Sequence, residues 1–559
     1  MPPIKRLALT IAGAVSLGSY EAGAMFEILD AIRQHNQAIA EGAAGSLIYV
    51  DVITGASAGG MTGTILAQKL LFNGPAFLGP YDNPLFNTWV KQIDLTGLDD
   101  TSQDPATLSV FSSNRIEKIA ADTLTADLTP DGKSVADHGP HAAIDPAKGI
   151  RLGLALTNLN GLNCGVPLKP DGVFQYTNFS DQLLRTVDST SRDIAIWQEL
   201  REAAVACGAF PVAFRTKDLL RSQADYSSEV WPATTPTATF TYSDGGILQN
   251  QPLGMAKNFV DTIDGHQDDD SRFYLFVSPN PMKGSQDLNL NQASANIVRV
   301  LERLVPVYTG QAVFRDWLQT GVINQRVQRL DKYATELVQA LNLFPGTAGA
   351  VQAATLTAAA TQIRPLLYHY PSGPADALAD EARLRQQYEL ELQQLGGPET
   401  PNAIAFLGAI QTLEKAAGLG AHEIMNVYGV VIEPGKLAGA GIFAFEGFFD
   451  EAYRHHDYEW GRRKAQDLIS AINREAAPTL GPILYQPQPT QIVPAFDGLR
   501  LDAIDPQDRD RFTKAIQNRV NQMLKVAIPN ILLRFPVQLA AAAALKAFFA
   551  WEFSRHEQA

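Results

Sequence analysis

The chain has 559 residues, 46% hydrophobic and 19% charged, with 43 glycines and 33 prolines, which excludes a single small module and a disordered or collagen-like chain. Its formal net charge of −14 argues against nucleic acid, or a strongly anionic bilayer, as a partner drawn by charge. Two cysteines, Cys164 and Cys207, cannot frame a disulfide scaffold and lack the spacing of a zinc or redox motif, so a reducing, cytoplasmic setting is expected.

From the N-terminus, Lys5-Arg6, an apolar run and Ala22-Gly23-Ala24 imitate a secretory leader. Ser16, Ser19, Tyr20 and Glu21 interrupt that run, and Leu7 to Ile11 reads better as a buried strand. A glycine-containing turn follows, and then Ala24, Met25, Ile28, Leu29 and Ile32 recur with helical spacing. A second strand-turn-helix unit comes next: Ser46 to Ile53 is rich in β-branched residues, and Met61 to Leu71 suits a helix. Further β-like runs are Ile150 to Leu156, Thr237 to Tyr242, Phe273 to Val277 and Val427 to Ile432. Polar loops are expected at 99–104, 127–145 and 215–236. The alternation predicts an α/β layered fold.

Helix-forming residues dominate from about Asn289 to Leu419, and 288–424 is therefore expected to be a helical insertion. Because Val427 to Ile432 is strand-like again, residues 425–559 are expected to return to the sheet and end in a helical region packed on a core formed by 1–287. No stretch offers the roughly 18 to 20 apolar residues that a spanning helix needs. The aromatic C-terminal stretch from Ile531 to Phe553 suits core packing better than a membrane interface, since its apolar residues fall on too many sides.

Gly55-Ala56-Ser57-Ala58-Gly59 has the Gly-x-Ser-x-Gly spacing of a nucleophile elbow, with a strand-like run before it and a helix-like run after it. A helix N-terminus at that point favours an alkoxide-like nucleophile and the charge of a tetrahedral intermediate. The serine needs a base. None of the nine histidines carries an accompanying signal, and His455-His456-Asp457 reads as a structural helix segment. Asp244 stands at the end of a β-like run before Gly245 and Gly246, where it is either that base or part of an ordinary Asp-Gly turn. No cluster has zinc-ligand spacing, and neither metal nor cofactor is expected.

Together these features resemble the patatin-like phospholipases over about residues 5 to 280. Gly13-Ala14-Val15-Ser16-Leu17-Gly18 stands where that family has its glycine-rich oxyanion loop, Gly55 to Gly59 is similar to its elbow, and Asp244-Gly245-Gly246 to its acid motif. Asn250 and Pro252 fit the usual continuation of that motif. The resemblance implies a three-layer α/β core around a mostly parallel sheet, and a lipid acyl hydrolase that works without metal or cofactor. Ser57 would attack a fatty acyl ester, Asp244 would accept its proton, and backbone N–H groups of Gly13, Ala14 and Val15 would hold the oxyanion.

The loop departs from the family pattern, with Ala14 and Val15 in place of glycines and Leu17 in place of a basic residue. Backbone amides can still donate, but a β-branched valine at positive φ would be strained. Met61, Ile65, Phe210 and Phe214 either line an acyl channel or pack beneath the sheet. Two competing functions are a lipid- or protein-binding module that keeps the fold without turnover, and an acyltransferase. The implied partner is a lipid ester, with peripheral membrane contact and no nucleic acid.

Overall fold

The computed structural model describes residues 2–105, 107–167, 173–226, 231, 234–264, 271–279, 427–475, 480–497, 505–527 and 538. Two compact units are distinguished: Met1–Ala256 with Ser271–Arg315 and Val427–Ala559, and Lys257–Asp270 with Asp316–Asn426. Of the second unit, only the end of one helix is described. The stretch expected as a helical insertion lies outside the described residues, and so does the aromatic C-terminal segment apart from Gln538.

The first unit is built on an eight-stranded mixed sheet. Its strands are β1 (Ile4–Ile11), β2 (Leu47–Gly55), β3 (Ile150–Pro167), β4 (Val173–Val187), β5 (Lys217–Ser222), β6 (Thr237–Asp244), β7 (Arg272–Ser278) and β8 (Val427–Val431). The order is β5-β6-β3-β2-β1-β7-β8, with β4 paired to β3. From β3 to β8 the neighbours run parallel, whereas β4, β6 and β5 join by antiparallel pairs. The parallel strands read as continuous apolar runs because helices cover both faces of such a sheet. All seven residues of β7 are buried.

Among the described residues seven longer helices accompany the sheet: α1 (Gly18–Ala40), α2 (Ala58–Phe72), α3 (Ser113–Leu124), α4 (Ile194–Cys207), α5 (Leu253–Asp264), α6 (Glu451–Ile472) and α7 (Pro506–Ala527). Their starts are set locally. The side chains of Ser112, Asp193 and Asp450 accept hydrogen bonds from the first-turn amides of Arg115, Ala195 and Ala452, the usual stabilisation of an N-terminus. The expected α/β fold, a mostly parallel sheet flanked by helices, is what the chain forms.

The chain's return after residue 427 adds β8 beside β7 and lays α6 across α1. The crossing is close because it is made through glycines: a Cβ on Gly23 would overlap the Tyr458 carbonyl, and one on Gly461 the Tyr20 carbonyl. Beside this contact Arg462, fully buried, bonds Glu27 at 2.8 Å and Glu459 at 3.1 Å. A buried guanidinium between two buried carboxylates is tolerable only as a complete set.

One expectation is corrected. The stretch 215–236, expected as a polar loop, contains β5. Its sequence, Lys-Asp-Leu-Leu-Arg-Ser, hides the strand because Arg221 is buried while its neighbour Leu220 faces solvent, inverting the usual apolar-in alternation. The long strand β4, the partner of β3, also gave no signal, since most of it is exposed or half-buried.

Gly461→Val should drive a branched side chain into the Tyr20 backbone and lower the unfolding free energy by about 2 kcal/mol or more. Urea unfolding followed by tryptophan fluorescence measures this, and an unchanged midpoint would contradict the close crossing.

Candidate active site

Strand β2 ends at Gly55, and the chain turns sharply through Ala56 and Ser57 into α2. Ser57 has φ 51° and ψ −126°, a conformation costing about 1–3 kcal/mol outside a supporting frame. Small residues supply that frame. A Cβ on Gly59 would overlap the carbonyls of Ile11 and Ala12, and one on Gly55 the backbone of Gly59 and Gly60. The Ala56 amide donates to the Ile11 carbonyl at 3.2 Å, pinning the elbow to the end of β1.

Asp244 arrives from the other side, at the end of β6, paired with Leu156 of β3. Its amide donates to the Ala209 carbonyl at 2.9 Å, and its own carbonyl accepts from the Thr157 hydroxyl at 2.8 Å. Ser243 Oγ also donates to Ala209 at 2.9 Å. These contacts fix the backbone, and the carboxylate then meets the elbow: Ser57 Oγ donates to Asp244 Oδ2 at 2.6 Å, while Oδ1 accepts the Gly246 amide at 2.7 Å. Residues 187 positions apart are thereby joined in one buried contact, with Ser57 6% and Asp244 2% exposed.

Burial dominates the electrostatics. Removal from water pushes the Asp244 carboxyl up to about 7, against the smaller lowering effect of its hydrogen bonds from Ser57 and Gly246. Burial also pushes the neighbouring Cys207 thiol well up, so it has little thiolate character.

The loop after β1 lies against the serine, since a Cβ on Gly13 would be 3.0 Å from Ser57 Cβ. Asn250 grips Gly13 from both sides: its carbonyl accepts the Gly13 amide at 3.0 Å, and its side chain donates to the Gly13 carbonyl at 3.3 Å. That grip removes the Gly13 N–H from the three donors expected to face an oxyanion. The amides of Ala14 and Val15 have no hydrogen-bond partner among the described residues, and neither has that of Ala58 at the start of α2. Val15 stands at φ 53°, the strained position anticipated for a β-branched residue in this loop.

A brace from the C-terminal part holds the same loop. The Gly447 amide donates to Ser16 Oγ at 3.2 Å, and Asp457 accepts the amides of Ala438 and Gly439 at 2.7 and 2.9 Å. Glu446 accepts the Gly441 amide at 2.9 Å. Burial raises both carboxyls, Asp457 to about 7 and Glu446 to about 8. The roles of Asn250 and Ser16 escaped sequence reasoning. Asn250 was visible only as a trailing motif residue, and the partner of Ser16 lies 431 positions away.

The described histidines sit elsewhere. His456 is buried in α6, with its ring bonded to the Lys436 carbonyl and the Val493 amide, and His35 and His141 bond backbone groups of their own surroundings. None bonds Ser57 or Asp244. Among the described residues no cluster of His, Cys, Asp or Glu side chains is arranged to hold a metal ion, and no helix is long and apolar enough to cross a membrane. Met61 and Ile65 line an apolar cavity of about 30 Å³ with Trp89 and Ile116. Phe210 instead joins Phe445, and Phe214 joins Phe111.

Residues 9–257 match the patatin-like phospholipase family model. The match covers the elbow, the acid motif and the loop between β1 and α1, the segments on which the resemblance rested. A relative in Sinorhizobium fredii, the uncharacterized protein y4iI, is 20% identical over 395 residues, covering 56% of this chain and 54% of that protein. The chain thus spans about half the length of this relative.

Because the Asp244 carboxyl is raised from 3.8 to about 7, the native state holds a proton that the unfolded chain releases. The resulting stability is complete below the unfolded value and is lost as pH rises through about 7. Asp244→Asn does not titrate, so its stability relative to wild type should rise between pH 5 and pH 8 by about 1 kcal/mol or more. Thermal unfolding of both proteins across that range measures it, and a constant difference would contradict a raised carboxyl.

Proposed function

We propose that this protein is a lipid acyl hydrolase in which Ser57 carries the acyl group and Asp244 is the base. The observation that carries the reading is the 2.6 Å hydrogen bond from Ser57 Oγ to a buried Asp244 carboxylate. A carboxylate at its ordinary value is a poor acceptor for a serine proton. One raised to about 7 is better matched to neutral pH.

In the proposed sequence, Asp244 Oδ2 takes the Ser57 proton as Oγ bonds to the ester carbonyl carbon. The carbonyl π electrons move onto oxygen, and this oxyanion is met by the amides of Ala14, Val15 and Ala58, with the α2 N-terminus contributing partial positive charge. Collapse breaks the bond to the alcohol, which leaves with the proton held by Asp244. Water then gives its proton to Asp244 and attacks the acyl-enzyme, and Ser57 recovers its proton as the fatty acid departs.

The alternative of a binding module without turnover draws on the strained Val15 and the engaged Gly13 amide. Hydrolysis of phospholipid and of a short-chain soluble ester separates the two readings. Ser57→Ala and Asp244→Asn should each lower kcat/KM by about a thousandfold or more, as loss of nucleophile or base does elsewhere. Wild-type protein with no turnover, or Asp244→Asn with full turnover, would overturn the assignment.

Asn250→Ala should act through position. Without the side-chain grip on Gly13, kcat is expected to fall about tenfold to a hundredfold with KM nearly unchanged. An equal loss in both parameters, or a large fall in melting temperature, would indicate a merely structural role.

A further inference from the structure

We propose that the outer half of the β3–β4 hairpin is the surface by which this protein seats itself on an uncharged lipid interface; the proposal rests on the lipid-hydrolase reading for its choice of partner. Strands β2 and β3 run parallel with Gly55 opposite Leu154, so β3 continues past the sheet edge at which β2 hands over to Ser57. Its pairing with β6 ends at Asn158 opposite Tyr242, two residues beyond the Leu156–Asp244 pair. From Leu162 outward, β3 and β4 pair only with each other. The hairpin therefore overhangs the edge that holds Ser57 and Asp244.

The overhang is apolar and exposed. Val173 is 59%, Phe174 58%, Leu159 48%, and Tyr176 and Phe179 45% exposed, and the rings of Phe174 and Tyr176 stack at 6.4 Å. Alternation along β4 puts Phe174 and Tyr176 on one face of the hairpin and Val173 and Phe179 on the other, so apolar side chains are exposed on both faces. Single exposed apolar residues are ordinary, but a stacked aromatic pair on such a two-sided overhang marks an interaction surface. The register places Cys164 opposite Tyr176 and Leu162 opposite Asn178, so these four side chains share one face of the hairpin. Leu162, Cys164 and Asn178 line a cavity of about 640 Å³ that also meets Gln249, in the segment following Asp244. The face that carries the aromatic pair thus leads into a cavity between the hairpin and the segment that holds Gln249.

Composition and charge select the partner. Between Leu159 and Ser180 the sequence has one cation, Lys169, and one anion, Asp171, and is otherwise apolar residues, Gly, Pro, Asn, Gln, Thr and Ser. Aromatic rings among uncharged polar groups settle where headgroups meet acyl chains. The chain as a whole carries −14, which repels an anionic bilayer but is indifferent to a zwitterionic one.

The test uses the full chain bearing Ser57→Ala, so that no hydrolysis alters the membrane, and phosphatidylcholine vesicles as the probe. This protein should float with the vesicles. Adding Phe174→Ser and Tyr176→Ser should weaken partitioning about tenfold or more, whereas Phe174→Leu and Tyr176→Leu, which keep apolar area, should stay within about threefold. Unchanged melting temperatures control for folding. Equal flotation of the serine variant, or no flotation of the parent, would overturn the proposal; so would loss of self-association in sedimentation without loss of flotation, which would assign the surface to a second copy. Failure of wild-type protein to cleave esters would strike the hydrolase reading and leave this measurement standing.

Discussion

A carboxyl group withdrawn from water and set against a serine hydroxyl is the constraint on which the rest of this structure depends. Burying a carboxylate is costly unless hydrogen bonds compensate, and among the described residues Asp244 receives two, from Ser57 and Gly246. The remaining imbalance raises its proton affinity. That imbalance persists because the backbone on each side is over-determined: Thr157 and Ala209 hold the end of β6, and the close approach of Gly55 and Gly59 to neighbouring backbone holds the elbow. Fold stability is thereby exchanged for a carboxyl whose proton affinity is matched to neutral pH, as the proposed role of a base requires.

The loop between β1 and α1 is held by a different principle. Its sequence does not favour its conformation, since Val15 stands at a positive φ, so distant parts of the chain must impose it. Asn250 closes on Gly13 from the acid motif, and Gly447 reaches Ser16 from the segment before α6. The return of the chain after residue 427 accordingly does more than widen the sheet. It lays α6 over α1 through Gly23 and Gly461 and brings the 438–449 segment against the loop that adjoins Ser57.

What could be read from the sequence was whatever local chemistry dictates. The spacing of Gly55, Ser57 and Gly59 demands a sharp strand-to-helix turn wherever it follows an apolar run, and Asp244 before two glycines marks a strand end. The parallel strands were legible because burial on both faces leaves an unbroken apolar record. The rest depends on contacts that no short window contains. β5 was hidden by the buried Arg221, whose partners include Asp181 of β4 and Tyr242 of β6, and β4 by the exposure of its overhang. The engagement of the Gly13 amide was equally invisible, because its acceptor lies in the Asn250 backbone.

In the proposed mechanism Asp244 activates Ser57. The most direct measurement of that activation is the rate at which a fluorophosphonate labels the intact protein, followed by mass spectrometry across pH 5 to 9 with the modified residue located by peptide mapping. The account predicts adduct on Ser57 alone, at a rate that rises with pH and levels off above about 7, with Asp244→Asn labelled slowly at every pH. Labelling of Ser57 at the same rate and with the same pH profile in both proteins would contradict it.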